Sequence, residues 1–134
     1  MTSVTVPGSV VDVGLPNFFG CKSLTDIYVA PDNPNYASFE GVLYNKDKSI
    51  LVRVCEGRKG QFVIPSSVEK IGYCAVYSCD NLTSVFIPGS ITEIDRHAFA
   101  GSDNLKKIYC DAENPPSCAE DAFIEYNYEE STLY

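Results

Sequence analysis

Apolar residues recur at fixed intervals along this chain, and the whole set of intervals repeats every 23 residues. In the segment 64–86, apolar or small residues occupy seven positions: Ile64, Val68, Ile71, Val76, Cys79, Leu82 and Val85. The segments 6–28 and 87–109 carry apolar or small residues at the same positions, without a shift of one residue. A repeat of this length is typical of a solenoid, in which stacked coils share a continuous core.

Each repeat contains one segment with the alternation of a β-strand. Leu82–Ile87 alternates apolar and polar residues and is rich in β-branched types, and Pro88 ends it because proline cannot donate to a ladder. Val68–Ile71 is predicted to form a second short strand. The pairs Ala75-Val76 and Ala98-Phe99 fall on the return path, where we expect a single helical turn whose large side chain points inward. One coil is therefore predicted to contain a strand and a short return.

Residues 29–63 break the period. The segment Pro31–Tyr36 is rich in turn-forming residues, and two apolar runs, Gly41–Tyr44 and Ile50–Val54, then flank the polar turn Asn45–Ser49. Two apolar runs around a short polar turn predict a β-hairpin. We therefore predict a widened coil from which this hairpin protrudes.

The chain is predicted to fold as one solenoid domain over residues 1–134. Its parts are the repeats 6–28, 64–86 and 87–109, the irregular hairpin-bearing coil 29–63 and a degenerate terminal coil 110–134. The equivalent residues Leu24, Leu82 and Leu105 are expected to line up in one core column. Both ends fall inside a repeat, so we expect either an excised fragment or a small protein whose last coil is its cap.

The repeat and its hairpin resemble the BspA-like subfamily of leucine-rich repeats. The pattern of that subfamily is Leu-x-x-Ile-x-Ile-Pro-x-Ser-Val-x-x-Ile-Gly-x-x-Ala-Phe-x-x-Cys-x-x-Leu, and it runs here from Leu82 to Leu105 and again over 64–82. The segment 33–47 is similar to an insertion found in many members, and 114–134 is similar to the usual terminal coil. Four residues depart from the pattern without moving its register: Val76, Asp95, Ser102 and Cys55.

This resemblance implies a leucine-rich-repeat solenoid with short parallel strands, short helical or 3-10 returns and one β-hairpin insertion. Members of the family are mostly secreted or cell-surface proteins of bacteria and some protists, and several are described as adhesins or host-interacting antigens. The resemblance therefore implies a non-enzymatic module that binds a protein or a glycan outside the cell. The alternative is a passive spacer domain of a larger surface protein.

Charge narrows the range of partners. The 134 residues include 18 acidic and 10 basic side chains, which gives a formal net charge of −8. Such a chain repels phosphate backbones and anionic lipids, which argues against nucleic-acid and membrane-surface partners. No apolar run approaches the roughly 20 residues of a membrane-spanning helix. The first residues do not have the pattern of a signal peptide, which carries little weight if both ends lie inside a repeat.

Six cysteines raise the question of disulfides or metal. Cys21 and Cys79 occupy the same repeat position with the coil 29–63 between them, so we expect them to lie too far apart for a bridge and to act as small buried apolar residues. Cys110 and Cys118 flank a proline-rich segment, where a small bridge and two free thiols both remain open. None of the spacings is that of a zinc site, and no metal or cofactor is predicted.

Catalytic chemistry has little support in the sequence. His97 is the single histidine, and we expect it on the surface, without a nucleophile held beside it. The acidic groups Asp111-Ala112-Glu113 and Glu129-Glu130 lack the spacing of a calcium loop and are expected to be solvated. No nucleophile elbow, phosphate loop or dinucleotide fingerprint is present. The sequence therefore predicts a protein that is not an enzyme.

Aromatic residues at equivalent positions form the candidate binding surface. Tyr28, Phe86 and Tyr109 lie between buried strand positions, so alternation places them on the outer face of the sheet as an exposed aromatic ladder. Tyr44 on the predicted hairpin is a further candidate. Aromatic residues among polar neighbours are typical of surfaces that recognise proteins or sugars. The structural alternative is that they only cover a flat sheet and prevent register slip.

Overall fold

The structure is a computed structural model that describes residues 2–111, 116–122 and 132–133. It is a β-solenoid of about five coils, which confirms the fold class predicted from the sequence. The elements, in chain order, are β1 (Ser3–Val6), a 3-10 helix (Leu15–Phe18), β2 (Asp26–Val29), β3 (Tyr36–Phe39), β4 (Val42–Asn45), β5 (Ile50–Arg53), β6 (Gly60–Val63), β7 (Lys70–Ile71), β8 (Leu82–Ile87), β9 (Glu93–Ile94), β10 (Lys107–Cys110), β11 (Ser117–Cys118) and β12 (Thr132–Leu133).

The proline-terminated strands of the repeats stack into a parallel sheet, which we call the strand sheet. Its order is β6, β8, β10, β12. Val85 pairs with Phe62 on one side and with Ile108 on the other, so neighbouring partners are one sequence period apart. β1 and β2 form a separate parallel pair. The ladder is therefore interrupted between β2 and β6.

A second sheet of six strands follows the return side of the coils. β11, β9, β7 and β5 are parallel in this order, and β4 and β3 extend the sheet in antiparallel pairing. The short strand predicted at Val68–Ile71 is confirmed as β7. The predicted hairpin is confirmed as β4 and β5, whose antiparallel strands flank residues 46–49.

The return paths contain turns in place of the helical turn that the sequence predicted. Among the described residues the 3-10 helix of the first repeat is the only helix, and none is long and apolar enough to cross a membrane. The backbone takes left-handed φ angles at Cys74 and at His97, which occupy equivalent positions, so the turn itself is repeated. The amide of Val76 donates to the carbonyl oxygen of Ala98 at 2.7 Å. Ala98 and Phe99 are fully buried, which confirms that this pair points inward.

The β4–β5 hairpin divides the interior into two hydrophobic cores. Val42, Tyr44 and Leu51 enter the larger core, which the regular coils share. Leu43 enters the smaller core, together with residues of β1 and β2. Because side chains alternate along a strand, successive residues of β4 cover opposite cores. The prediction of a protruding hairpin is therefore wrong: this hairpin is a wall between two cores, and both of its faces are covered.

The predicted leucine column is continuous only through the regular coils. Leu24, Leu82 and Leu105 are all buried. Leu82 and Leu105 belong to the larger core, whereas Leu24 belongs to the smaller one. The expectation of a single column is thus corrected by the hairpin wall, which separates the first coil from the others.

Candidate binding surface

Two columns of side chains lie on the outer face of the strand sheet. They are Gln61, Ser84 and Lys107 in one column, and Val63, Phe86 and Tyr109 in the other. We call the second set the aromatic column. It stands on a rigid support, since the intervening residues Val85 and Ile108 point inward and are buried in the larger core.

The two rings of the aromatic column are stacked. The ring centroids of Phe86 and Tyr109 are 4.5 Å apart and the planes differ by 13°. This separation is close to the spacing of about 4.7–4.9 Å between neighbouring strands, so the rings face each other along the solenoid axis. Each ring covers one face of the other. The ring edges, which the stacking leaves uncovered, carry the positive part of the aromatic quadrupole.

An open groove of about 480 Å³ runs along the aromatic column at the ends of three strands. Its lining residues are Val63, Ile64, Phe86, Ile87, Pro88, Tyr109, Cys110 and Asp111. Apolar side chains and a proline form most of this lining, and Asp111 places a carboxylate at one end. A groove of this composition suits an apolar ligand group flanked by a donor or a cation.

Ser84 lies next to the aromatic column and is buried although it is on the outer face. Its neighbours in the column are Gln61 and Lys107. The Oγ atom of Ser84 has no hydrogen-bond partner among the residues that the structure describes. A buried hydroxyl in this state costs free energy, so Ser84 is a weak point of the sheet.

Tyr28 does not join the other two aromatic residues. It lies on β2, pairs with Thr5 of β1, and is 48% exposed. Because β2 and β6 belong to different sheets, no aromatic ladder runs from Tyr28 to Phe86. The predicted three-residue ladder is therefore corrected to the stacked pair Phe86 and Tyr109.

The prediction that Tyr44 belongs to the binding surface is wrong. Its exposed fraction is 1%, and it packs in the larger core from the inner face of the hairpin wall. Burial raises the pKa of its phenol to about 12. A side chain in this position cannot touch a ligand, and its role is to fill the core.

A second aromatic pair, which the sequence analysis missed, lies on the return side. The rings of Phe19 and Tyr77 are 5.0 Å apart, and the guanidinium of the fully buried Arg53 lies 5.3 Å and 5.9 Å from their centroids. Arg53 donates to Glu56 at 3.0 Å and to the carbonyl oxygen of Cys74 at 2.7 Å. Phe19 and Tyr77 occupy equivalent positions of their repeats, and this equivalence could have identified the pair from the sequence. The cluster joins three successive coils.

His97 is half-buried on the return side, close to its expected surface position. Its Nε2 lies 3.4 Å from Oδ2 of Asp121, which accepts a hydrogen bond from Nε of Arg96 at 2.9 Å and forms an ion pair with the same guanidinium. Cys74 occupies the equivalent position one coil away. Burial raises the pKa of the Cys74 thiol, so this cysteine is held as the neutral thiol rather than as a nucleophilic thiolate.

All six cysteines are free thiols in the structure. Cys79 lies 3.7 Å from the carbonyl oxygen of Cys55, so the 29–63 coil does separate Cys79 from Cys21. Burial raises the pKa of Cys55 to about 11 and that of Cys79 to about 12. Cys110 is half-buried and Cys118 exposed, and neither is paired. The buried thiols therefore act as apolar filling, as the sequence indicated for Cys79.

The acidic groups lie largely beyond the part of the chain that the structure describes. Asp111 is exposed at the end of the groove, whereas residues 112–115 and 123–131 are outside the described residues. Among the residues that are described, no group of three or more His, Cys, Asp or Glu side chains is placed to hold a metal ion.

Solved structures with the same architecture come from bacteria. A leucine-rich repeat protein from Eubacterium ventriosum is 24% identical, with a TM-score of 0.64, over 84% of this chain and 37% of its own. The pneumococcal vaccine antigen PcpA is 24% identical, with a TM-score of 0.70, over 81% of this chain and 27% of its own. A leucine-rich cell surface protein from Faecalibacterium prausnitzii is 26% identical, with a TM-score of 0.68, over 95% of this chain and 41% of its own.

This chain thus spans less than half the length of the solved proteins that it resembles. No curated protein matches it. The family described as BspA type leucine rich repeat region (6 copies) matches residues 56–133, which is more than half of the chain. Repeats of this family generally form non-enzymatic scaffolds. With the repeat register and the solenoid described above, this match shows that the chain belongs to the BspA-type leucine-rich repeat family.

Proposed function

We propose that this chain is a non-enzymatic binding module of a secreted or cell-surface bacterial protein, and that its ligand contacts the aromatic column. The observation that carries the proposal is the stacked pair Phe86 and Tyr109, which lies beside the exposed Val63 and above an open, largely apolar groove. Apolar rings on a rigid sheet supply contact area at a low cost in conformational entropy. The surface location is supported by the family and by the name of one structural relative, the leucine-rich cell surface protein.

The geometry of the rings favours a protein over a glycan as the ligand. A sugar ring stacks on an open aromatic face, and here Phe86 and Tyr109 cover one face of each other. Their edges instead suit carbonyl oxygens and the faces of other aromatic rings, which protein surfaces supply. The net charge of −8 disfavours polyanionic ligands of either class. A ligand for this module is therefore expected to be neutral or basic and proteinaceous.

A passive spacer is the second candidate, because the same rings could do no more than cover a flat sheet. The two functions differ in what the surface binds. We expect that an array of host proteins and glycans yields at least one hit for the binding module, and none for the spacer.

The specificity of a hit is tested with a double variant, Phe86→Ala with Tyr109→Ala. We expect this variant to lose the hit while it keeps the fold, since both side chains are on the outer face. Tyr73→Ala is the matched control, because Tyr73 is 48% exposed and lies in a return turn outside the strand sheet, so this variant should leave binding unchanged. Binding that survives the double variant would contradict the proposed site, and the complete absence of hits would favour the spacer.

A further inference from the structure

The strand sheet has an open edge inside the molecule, at β6. β6 pairs with β8 on one side, and among the described residues no strand pairs with its other side. In a regular solenoid β2 would occupy that place, but β2 belongs to the pair β1–β2. The interruption therefore leaves an unpaired edge in the middle of the face that the aromatic column occupies.

The hydrogen bonds of β6 identify which backbone groups are unpaired. The amide of Gly60 donates to Asn81 at 3.0 Å, and the amide of Ile64 donates to Phe86 at 3.1 Å, both toward β8. In a parallel strand, alternate residues direct their N–H and C=O groups to opposite sides. Gln61 and Val63 therefore direct theirs away from β8, and the described residues supply no partner for them.

The open edge of β6 has a clear structural cause. The amide of Gly57 donates to the carbonyl oxygen of Leu24 at 2.9 Å, so the first and second coils are in contact before β2 and β6 begin. Beyond that point the turn between β3 and β4 takes the place of β6 beside β2, since the amide of Ile27 donates to the carbonyl oxygen of Gly41 at 2.8 Å. A Cβ atom at Gly41 would collide with the carboxylate of Asp26 and the guanidinium of Arg58. This packed turn holds the two strands apart.

The side chains beside the opening show the same separation. Tyr28 on β2 is 48% exposed and Val63 on β6 is 64% exposed, whereas Phe86 and Tyr109 are half-buried. In a continuous sheet Tyr28 and Val63 would be neighbours in one column and would cover each other. Two exposed apolar side chains thus stand beside unpaired backbone donors and acceptors.

We propose that the open edge of β6 binds an extended peptide segment of a protein partner by strand addition. The backbone of the segment pairs with Gln61 and Val63, and its alternate apolar side chains pack on Val63 and Tyr28. Main-chain pairing gives such a contact its affinity, and the alternate side chains give its specificity. This inference deepens the proposed function and rests on it, because it specifies the form of the ligand and the strand that receives it.

The free protein provides the first test, by amide hydrogen exchange. We expect the amides of Gln61 and Val63 to exchange rapidly, while those of Phe62 and Ile64 are protected by β8. Equal protection of all four amides would mean that the edge is already covered, and would overturn the proposal.

The second test uses a random 12-residue peptide library displayed on phage as the probe. We expect selected peptides to alternate apolar and polar residues and to protect the amides of Gln61 and Val63 in the wild-type protein. This exchange readout needs no variant, so it decides the question even where a variant folds poorly. Failure to select any peptide, or selected peptides that leave both amides unprotected, would overturn strand addition.

Variants then separate the backbone contact from the side-chain contact. Val63→Pro removes the outward N–H and keeps the ladder to β8, so we expect peptide affinity to fall about tenfold or more. Val63→Ala keeps the N–H and should weaken binding less. Thr5→Pro is the matched control, because Thr5 occupies the corresponding position on the edge strand β1, and it should have no effect.

The same variants distinguish this inference from the proposed function. If Phe86→Ala abolishes peptide binding and Val63→Pro does not, the aromatic column binds but strand addition is wrong. If Val63→Pro abolishes binding and Phe86→Ala does not, the edge is the site and the role of the aromatic column in the proposed function fails. Loss with both variants supports both statements.

Discussion

The regular coils and the N-terminal part of the molecule are held together by different means. In the regular coils, equivalent apolar residues stack in columns and the same backbone hydrogen bonds recur from coil to coil. In the N-terminal part, which comprises the first coil and the inserted coil 29–63, single polar residues make contacts that occur once. Each contact in the regular coils is therefore one of many of the same kind. The junction between the N-terminal part and the regular coils instead depends on a few unique side chains.

The largest effect is expected where a unique polar contact is buried. Arg53 and Glu56 form an ion pair at 3.0 Å with almost no exposure, and Glu56 also accepts from the amide of Gly20 at 3.0 Å. Glu56→Ala should lower the free energy of unfolding by about 3–5 kcal/mol, because it leaves a buried guanidinium charge without a carboxylate. Urea denaturation measures this change.

Two further variants serve as controls for the buried pair. The double variant Arg53→Met with Glu56→Leu should recover much of the loss, since no charge remains buried. Lys22→Ala removes a solvent-exposed ion pair with Asp80 and should leave the urea midpoint unchanged. If the urea midpoint of Glu56→Ala changes as little as that of Lys22→Ala, the contact between the N-terminal part and the regular coils does not depend on this ion pair.

Leucine-to-alanine substitutions in the two cores test whether the hairpin wall separates them. Leu82→Ala should cost about 2–5 kcal/mol and raise amide exchange throughout β8 and β10. Leu24→Ala should raise exchange in β1 and β2 and leave β8 and β10 protected, because it lies in the smaller core. If Leu24→Ala loosens all four strands equally, the two cores form one cooperative unit.

Asn33 is the next test of the junction. Its side-chain amide donates to the carbonyl oxygens of Pro7 and Val10, and its Oδ1 accepts from the amides of Asn35 and Tyr36. Asn33→Ala leaves these buried groups unpaired and should cost about 2–3 kcal/mol in thermal or urea unfolding. Asn35→Ala is the control, since this exposed side chain makes one such bond, to Val11, and a loss as large there would remove the distinction.

Tyr44, on the inner face of the hairpin wall, is expected to make the stability of the protein depend on pH. Its folded pKa of about 12 lies above the ordinary value of 10.0, so the proton is bound more tightly in the folded state. The stabilisation is complete below pH 10 and is lost as the pH rises toward 12. Tyr44→Phe should flatten the fall of stability in this window, as measured by urea midpoints against pH. An unchanged slope would mean that the phenol is not the group responsible.

The smallest change in stability is expected for two serines of the regular coils, and the sign of that change is the test. Ser84 has an unpaired buried hydroxyl among the described residues, so Ser84→Ala should leave stability unchanged or raise it by up to about 1 kcal/mol. Ser102 donates to Val76 at 2.7 Å and accepts from the amide of Cys79 at 3.1 Å. Ser102→Ala should therefore destabilise by about 1–2 kcal/mol. The same sign for both variants in thermal unfolding would refute this contrast.

Features that repeat could be predicted from the sequence, and features that occur once could not. Three aligned segments established the register, and with it the neighbouring positions of Phe86 and Tyr109. The interruption at β6 could not be predicted, because it depends on a turn that packs between Asp26 and Arg58 by tertiary contact. The partners of Asn33 and Arg53 likewise come from other coils, so no local spacing identifies them.

The position of Tyr44 is a different case, because a usable signal was present. Val42-Leu43-Tyr44 is a continuous apolar run, which is typical of a strand that is buried on both faces. A protruding hairpin would instead alternate apolar and polar residues. The inner role of this hairpin could therefore have been predicted from its composition, although the identity of the two cores on either side could not.

The hairpin wall also affects how a molecule of this kind can change in length. Since the wall closes the larger core on one side with its own side chains, duplication or deletion of a whole coil beyond it adds or removes one rung without exposing the smaller core. The number of coils that share the larger core can therefore change while the smaller core stays as it is. The open edge at β6 keeps its position and its chemistry whatever number of rungs is added behind it.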